Sequence, residues 1–135
     1  LPEAHDGLGW VFATQSQGDS ALVHFEAAVA AGGAAGEIAD QLHAGLAFAR
    51  ETAAQWQGVL DAAGEVPQGW VFQHDGTLDR DDVTLLEAVA HYALGDFTSS
   101  LGLVQVLDPT FQADVSTVAG RAELANRIEE LLLSQ

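Results

Sequence analysis

The clearest pattern along the chain is an apolar stripe at helical period between Gly36 and Gly64. Ile38, Leu42, Leu46, Ala49, Ala53, Trp56, Val59, Leu60 and Ala63 recur in steps of three and four, which places them on one face of a helix. Gly45 and Gly58 each weaken such a helix by about 1 kcal/mol without ending it, so one helix is expected over 36–64, about 40 Å long if unbroken. Upstream, Gly18-Asp19-Ser20 precedes an apolar run from Ala21 to Val29. Asp19 or Ser20 can accept the first free backbone N–H groups, and Gly32-Gly33 ends the run. Downstream, Asp79-Arg80-Asp81-Asp82 opens a helix over Val83–Leu94 that Gly95 stops. A further helix is expected from about Phe97 to Leu107, closed by Asp108-Pro109. The last is expected from about Gln112 to Leu133, with Val115, Val118, Ala122, Ala125, Ile128 and Leu132 on one side. The pattern predicts an all-α fold of five or six antiparallel helices in a single domain, 1–135, arranged as helical-hairpin repeats or as an irregular bundle.

One segment breaks the pattern. Gly9-Trp10-Val11-Phe12 recurs as Gly69-Trp70-Val71-Phe72, and in both places an aspartate follows ten positions after the glycine. Such self-similarity suggests duplication of a helical unit. Trp-Val-Phe also has strand propensity, so a short β-hairpin pairing the two copies is the alternative. The first copy reads as helix; the second, with Pro67 nearby, reads as loop or extended chain.

Leu8-Gly9, Phe12, Ala21, Phe25 and Ala28 fall at the spacing of the small and large positions of a tetratricopeptide repeat. The first helix pair therefore resembles that family. Small residues let two helices approach, and aromatics fill the gaps between them. A second copy shows in Tyr92-Ala93-Leu94-Gly95-Asp96-Phe97 and in Leu107-Asp108-Pro109. Gly33 stands where the family places proline, and Gly95 to Pro109 falls short of the family spacing. The resemblance covers about half the chain and implies a concave protein- or peptide-binding surface without catalysis.

Charge narrows the partners. The 135 residues include 20 acids, four arginines and no lysine, for a net charge of −16. So few cations cannot neutralise many phosphates, which argues against nucleic acid and anionic membranes as partners. With 48% hydrophobic and 18% charged residues, the chain has the composition of a folded domain rather than an acidic tail. No apolar run is long enough to span a bilayer, so no membrane insertion is expected. The chain starts Leu1-Pro2 rather than with methionine, so a removed signal or a flanking segment is expected before it. That leaves cytoplasmic and exported locations both open.

Candidate chemistry is sparse. Without cysteine there is no disulfide framework, thiolate zinc site or cysteine nucleophile. Without lysine there is no Gly-x-x-x-x-Gly-Lys phosphate loop, and no Gly-x-Ser-x-Gly elbow occurs. Asp75-Gly76-Thr77-Leu78-Asp79, with Asp82 beyond, resembles the second half of an EF-hand calcium loop. However, Val71 and Gln73 occupy its first two ligand positions, so a turn followed by an aspartate N-cap is the expected role. Glu87 and His91 at i,i+4, and Asp40 and His43 at i,i+3, share helix faces as carboxylate–histidine pairs of a metal-binding bundle would. The Glu-x-x-His signature of such bundles is missing, so neither metal nor cofactor is expected.

These residues point to a non-catalytic, acidic protein-interaction module, an adaptor or accessory subunit whose partner presents a basic surface. The expected contact surface is the 69–82 loop, with Trp70 and Phe72 exposed beside Asp75, Asp79, Asp81 and Asp82, together with the helix faces around Asp40 and Glu87. An inhibitor or immunity-type protein covering a basic site, and a metal-binding helical bundle, are the alternatives. Adaptation to a salty environment would account for the acidity without any partner.

Overall fold

A computed structural model describes residues 2–14, 18–33, 38–72 and 78–134. Among the described residues there are seven helices and no sheet: α1 (Pro2–Thr14), α2 (Gly18–Ala30), α3 (Ala39–Thr52), α4 (Trp56–Ala63), α5 (Arg80–Ala93), α6 (Phe97–Leu107) and α7 (Val118–Leu133). The fold is all-α, as the sequence predicts. Successive helices pair as hairpins α1–α2, α3–α4 and α5–α6, with α7 following. Helices α1, α3, α5 and α7 each touch the next in that series. Helices α2, α4 and α6 each join their hairpin partner to the odd-numbered helix that follows.

The register of the first two hairpins is set by one ring. Phe25 of α2 is fully buried. A Cβ added at Gly9 of α1 would lie 2.6 Å from its Cε1, and one added at Gly45 of α3 would overlap its Cζ. Both glycines are places where only a hydrogen fits. Ala21, Ala28 and Leu42 are also fully buried around the ring, and Trp10 meets it edge-on with centroids 5.5 Å apart. Leu8, by contrast, is exposed.

The stripe over 36–64 is two helices rather than one. Ala54 adopts φ +56°, its N–H bonds to the Glu51 carbonyl, and the Gln55 N–H reaches back to the Arg50 carbonyl at 2.8 Å. This pair of bonds is a Schellman motif, with alanine where glycine is usual. It reverses the chain, so Val59, Ala62 and Ala63 bury against α3 instead of extending beyond it. Arg50 then lies across Gly58, where a Cβ would sit 2.9 Å from Arg50 Cδ, and its guanidinium donates to the Gly58 carbonyl at 2.9 Å. Gly58 therefore serves the hairpin rather than weakening a long helix. This extra break accounts for seven helices instead of five or six.

The two Gly-Trp-Val-Phe copies do not pair as strands. The first lies inside α1; the second is extended and bridges Val71 to Asp79. Its hydrogen bonds run from Phe72 N–H to the Leu78 carbonyl at 2.8 Å and from Arg80 N–H to the Trp70 carbonyl at 2.9 Å. The copies meet through their side chains, because Trp10 stacks on Phe72 at 4.5 Å between centroids. A second core gathers Leu85, Ala88, Val104, Leu124 and Ile128 under α5, α6 and α7. There Ser100 is fully buried and donates to the Ala88 carbonyl at 2.7 Å.

The last helix begins later than its stripe suggests. Asp114 accepts from Ser116 N–H at 3.1 Å, and Thr117 caps α7 through the Gly120 N–H at 2.9 Å. These turn bonds hold 114–117 outside the helix. Two substitutions test the account in opposite directions by chemical denaturation. Ala54→Gly relieves a left-handed alanine and should raise stability by about 0.5–1 kcal/mol. Phe25→Ala should cost about 3–5 kcal/mol, since two glycines cannot refill the space.

Candidate functional site

The expected surface on the 69–82 loop does not assemble as such. Phe72 stacks on Trp10 and Trp70 lies beside Phe72, and at 8% and 7% exposure Trp70 and Phe72 serve the core and not a surface contact. The physical reason is the ribbon just described, which turns both rings inward and sets Phe72 on Trp10 of α1. Asp75 lies outside the described residues. Asp79 and Asp82 form a capping box at the start of α5: Asp79 caps the first turn, and Asp82 Oδ2 accepts from the Asp79 N–H at 2.8 Å. Burial, the larger effect, pushes the Asp82 carboxyl above its ordinary range. Asp81 remains exposed on the first turn of α5, and Asp40 on that of α3. Glu87 is engaged by the buried Arg80 at 2.7 Å, and Arg80 also donates to Thr84 at 2.9 Å. The carboxylate–histidine pairing of Glu87 with His91 is replaced by these bonds, and His91 faces Asp96 at 3.3 Å.

All four cations are used internally. Besides Arg80 and Arg50, Arg121 donates to the Val115 carbonyl at 2.9 Å and lies over the Phe97 ring at 4.8 Å. Arg127 bridges Asp108 at 2.9 Å and Glu130 at 2.8 Å. What the surface offers a partner in ionic form is therefore overwhelmingly carboxylate.

Two clefts share Trp56, the half-buried residue that opens α4. One, of about 270 Å³, runs between α5 and α7, with Val89, Tyr92, Ile128 and Leu132 on its walls and Glu129 on its rim. The other, of about 520 Å³, lies toward Arg50, Gln55, Asp61 and Leu94. Leu132 and Leu94 are each nearly half exposed, so the apolar strip reaches the surface at both ends. Glu129 has no hydrogen bond or ion pair among the described residues, and Asp61 accepts only from Gln57, at 3.1 Å. The sequence places Ile128 and Leu132 on one side of the last helix. Only the packing shows that Ile128 is covered while Leu132 is left open beside Trp56.

Compared with known proteins, the chain matches no family model, no curated relative and no solved structure. Function rests on the chain's own chemistry. No helix among the described residues is long and apolar enough to cross a membrane. Among the described residues no group of three or more histidines and carboxylates is placed to hold a metal ion.

The acids divide into two classes, and their signs oppose. Burial raises Glu51 and Asp82, so each adds stability that is complete at low pH and lost as pH rises through its raised value. Bonds from Ser99, Thr110 and Ser116 lower Asp96, Asp108 and Asp114, so their contribution exists near neutrality and is lost as pH falls through their lowered values. Self-repulsion from −16 also eases as carboxylates protonate. In low salt the melting temperature should therefore rise as pH is lowered from 7 toward the carboxylate range, and fall again as pH drops through the lowered values of Asp96, Asp108 and Asp114. A steady fall from pH 7 downward would contradict this balance.

Proposed function

We propose that the chain is a non-catalytic protein-interaction module, an adaptor or accessory subunit, that receives an apolar segment of a partner flanked by lysine or arginine. The observation that carries this reading is the α5–α7 cleft: an apolar trough opening beside Trp56 and Leu132, rimmed by the unpaired Glu129, on a body whose cations are all engaged. Burial of the partner's apolar residues supplies affinity, and the acidic surround speeds and orients encounter.

A tetratricopeptide-like construction fits this use. Three hairpins follow one another, and in the first Gly9 on the leading helix faces Phe25 on the second, with the buried Ala21 one turn before it. Ala88, Ser100 and Val104 repeat that spacing in the third hairpin, and all three are fully buried. Repetition of this kind favours an extended binding surface over a closed catalytic pocket.

The absence of lysine gives the test unusual resolution. Carbodiimide coupling of a carboxylate to a side-chain amine must run from an acid of this chain to a lysine of its partner. Wild type and Leu132→Glu would be used as baits in extract of the source cells, then coupled and mapped by mass spectrometry. The expected result is one stoichiometric partner, linked through Glu129 or Asp61 and reduced at least about tenfold by Leu132→Glu, which places a charge in the apolar trough. Links confined to distant acids such as Glu26 or Asp40, or equal capture by both baits, would contradict the assignment of the cleft.

A further inference from the structure

We infer that the partner's segment is held at two points on either side of Trp56: a bulky apolar side chain in the α5–α7 cleft and, about two to four residues from it, a lysine or arginine in the adjoining cleft at Asp61. This two-part signature rests on the cleft assignment made above and adds to it which side chain each cleft takes and how far apart the two must stand.

The two clefts differ in what they accept. In the α5–α7 cleft Tyr92 turns its hydroxyl to the Arg121 carbonyl at 3.2 Å, which leaves apolar walls below Glu129. Its volume of about 270 Å³ is less than twice the about 150 Å³ that holds one benzene, so one bulky side chain fills it. The adjoining cleft, of about 520 Å³, is mixed: Trp56 and Leu94 are apolar, while Gln55, Gln57 and Asp61 are polar. Arg50 also lines it, but its guanidinium is held on the Gly58 carbonyl at 2.9 Å and makes no ion pair with Asp61 among the described residues. Asp61 is exposed and accepts only from the neutral Gln57 amide, so its charge is left for an incoming cation. Lysine and arginine suit such a cleft, because their aliphatic stems lie along apolar surface, here Trp56 and Leu94, while the charged head reaches the acid. Trp56 belongs to both clefts and so sets the spacing. Crossing one indole takes about two residues of extended chain, or about three or four on one face of a helix. A general acidic field, by contrast, attracts cations at any spacing.

Selection of a random-peptide phage library on the immobilised full chain tests this, in physiological salt so that charges more than about 8 Å apart are screened. Peptides recovered on wild type should carry leucine, phenylalanine or another bulky apolar residue, with lysine or arginine enriched at least about fivefold at one fixed offset from it. Three single substitutions, all at exposed positions, separate the parts. Asp61→Asn should keep the apolar residue and lose the offset. Leu132→Glu should lose the apolar residue, and Glu26→Gln on α2 should change neither. Apolar enrichment with cations at no preferred offset, or the same offset selected by Asp61→Asn, would overturn the two-point arrangement while leaving the α5–α7 cleft as the docking site. No apolar enrichment that depends on Leu132 would overturn both.

Discussion

The structure turns on the room left for one aromatic ring. Phe25 needs space from both neighbours, and Gly9 and Gly45 each give up a Cβ to provide it. A hydrophobic side chain of this size contributes about 1.5–3 kcal/mol by leaving water, but its larger effect here is geometric. Once the ring is seated, α1, α2 and α3 have a fixed approach and register. Trp10 is then positioned to carry Phe72, so the extended segment after α4, paired through its backbone with 78–80, is also tied to the first hairpin.

The second constraint is electrical. A body with 20 acids and four arginines cannot neutralise itself, and it uses its cations where burial or turns demand them. Arg80 sits beneath the ribbon with Glu87 and Thr84, Arg50 locks the α3–α4 reversal, and Arg127 ties Asp108 to α7. Several acids also have structural work: Asp79, Asp82 and Asp96 cap helices, and Asp114 organises the turn before α7. The remainder give the surface one sign. That division explains why the acidic cluster at 79–82, the densest in the sequence, is occupied with folding α5, while a single uncommitted glutamate on α7 borders the apolar cleft.

Much of the fold was legible because it is written in local rules. Gly32 and Gly95 end helices where positive φ is needed, Asp79 caps α5, and the helical stripes give the fold class. The reversal at Ala54 was not legible, because two helices folded against each other bury the same periodic stripe as one long helix. Alanine also carries no signal for a left-handed turn. The candidate site was less legible. Trp70 and Phe72 have the composition of a contact surface, and only the pairing of 70–72 with 78–80 turns them inward. The α5–α7 cleft depends on how far Leu132 and Trp56 stand from Val89 and Tyr92, which no spacing along the chain encodes.

The most direct test of this account is a double-mutant cycle between Gly45→Ala and Phe25→Leu, followed by urea unfolding. If the ring is what excludes a Cβ at position 45, the alanine should cost about 2 kcal/mol or more beside phenylalanine and much less beside the smaller leucine, a coupling of at least about 1 kcal/mol. Costs that simply add, with Gly45→Ala equally harmful in both backgrounds, would show that the hairpin register does not depend on Phe25.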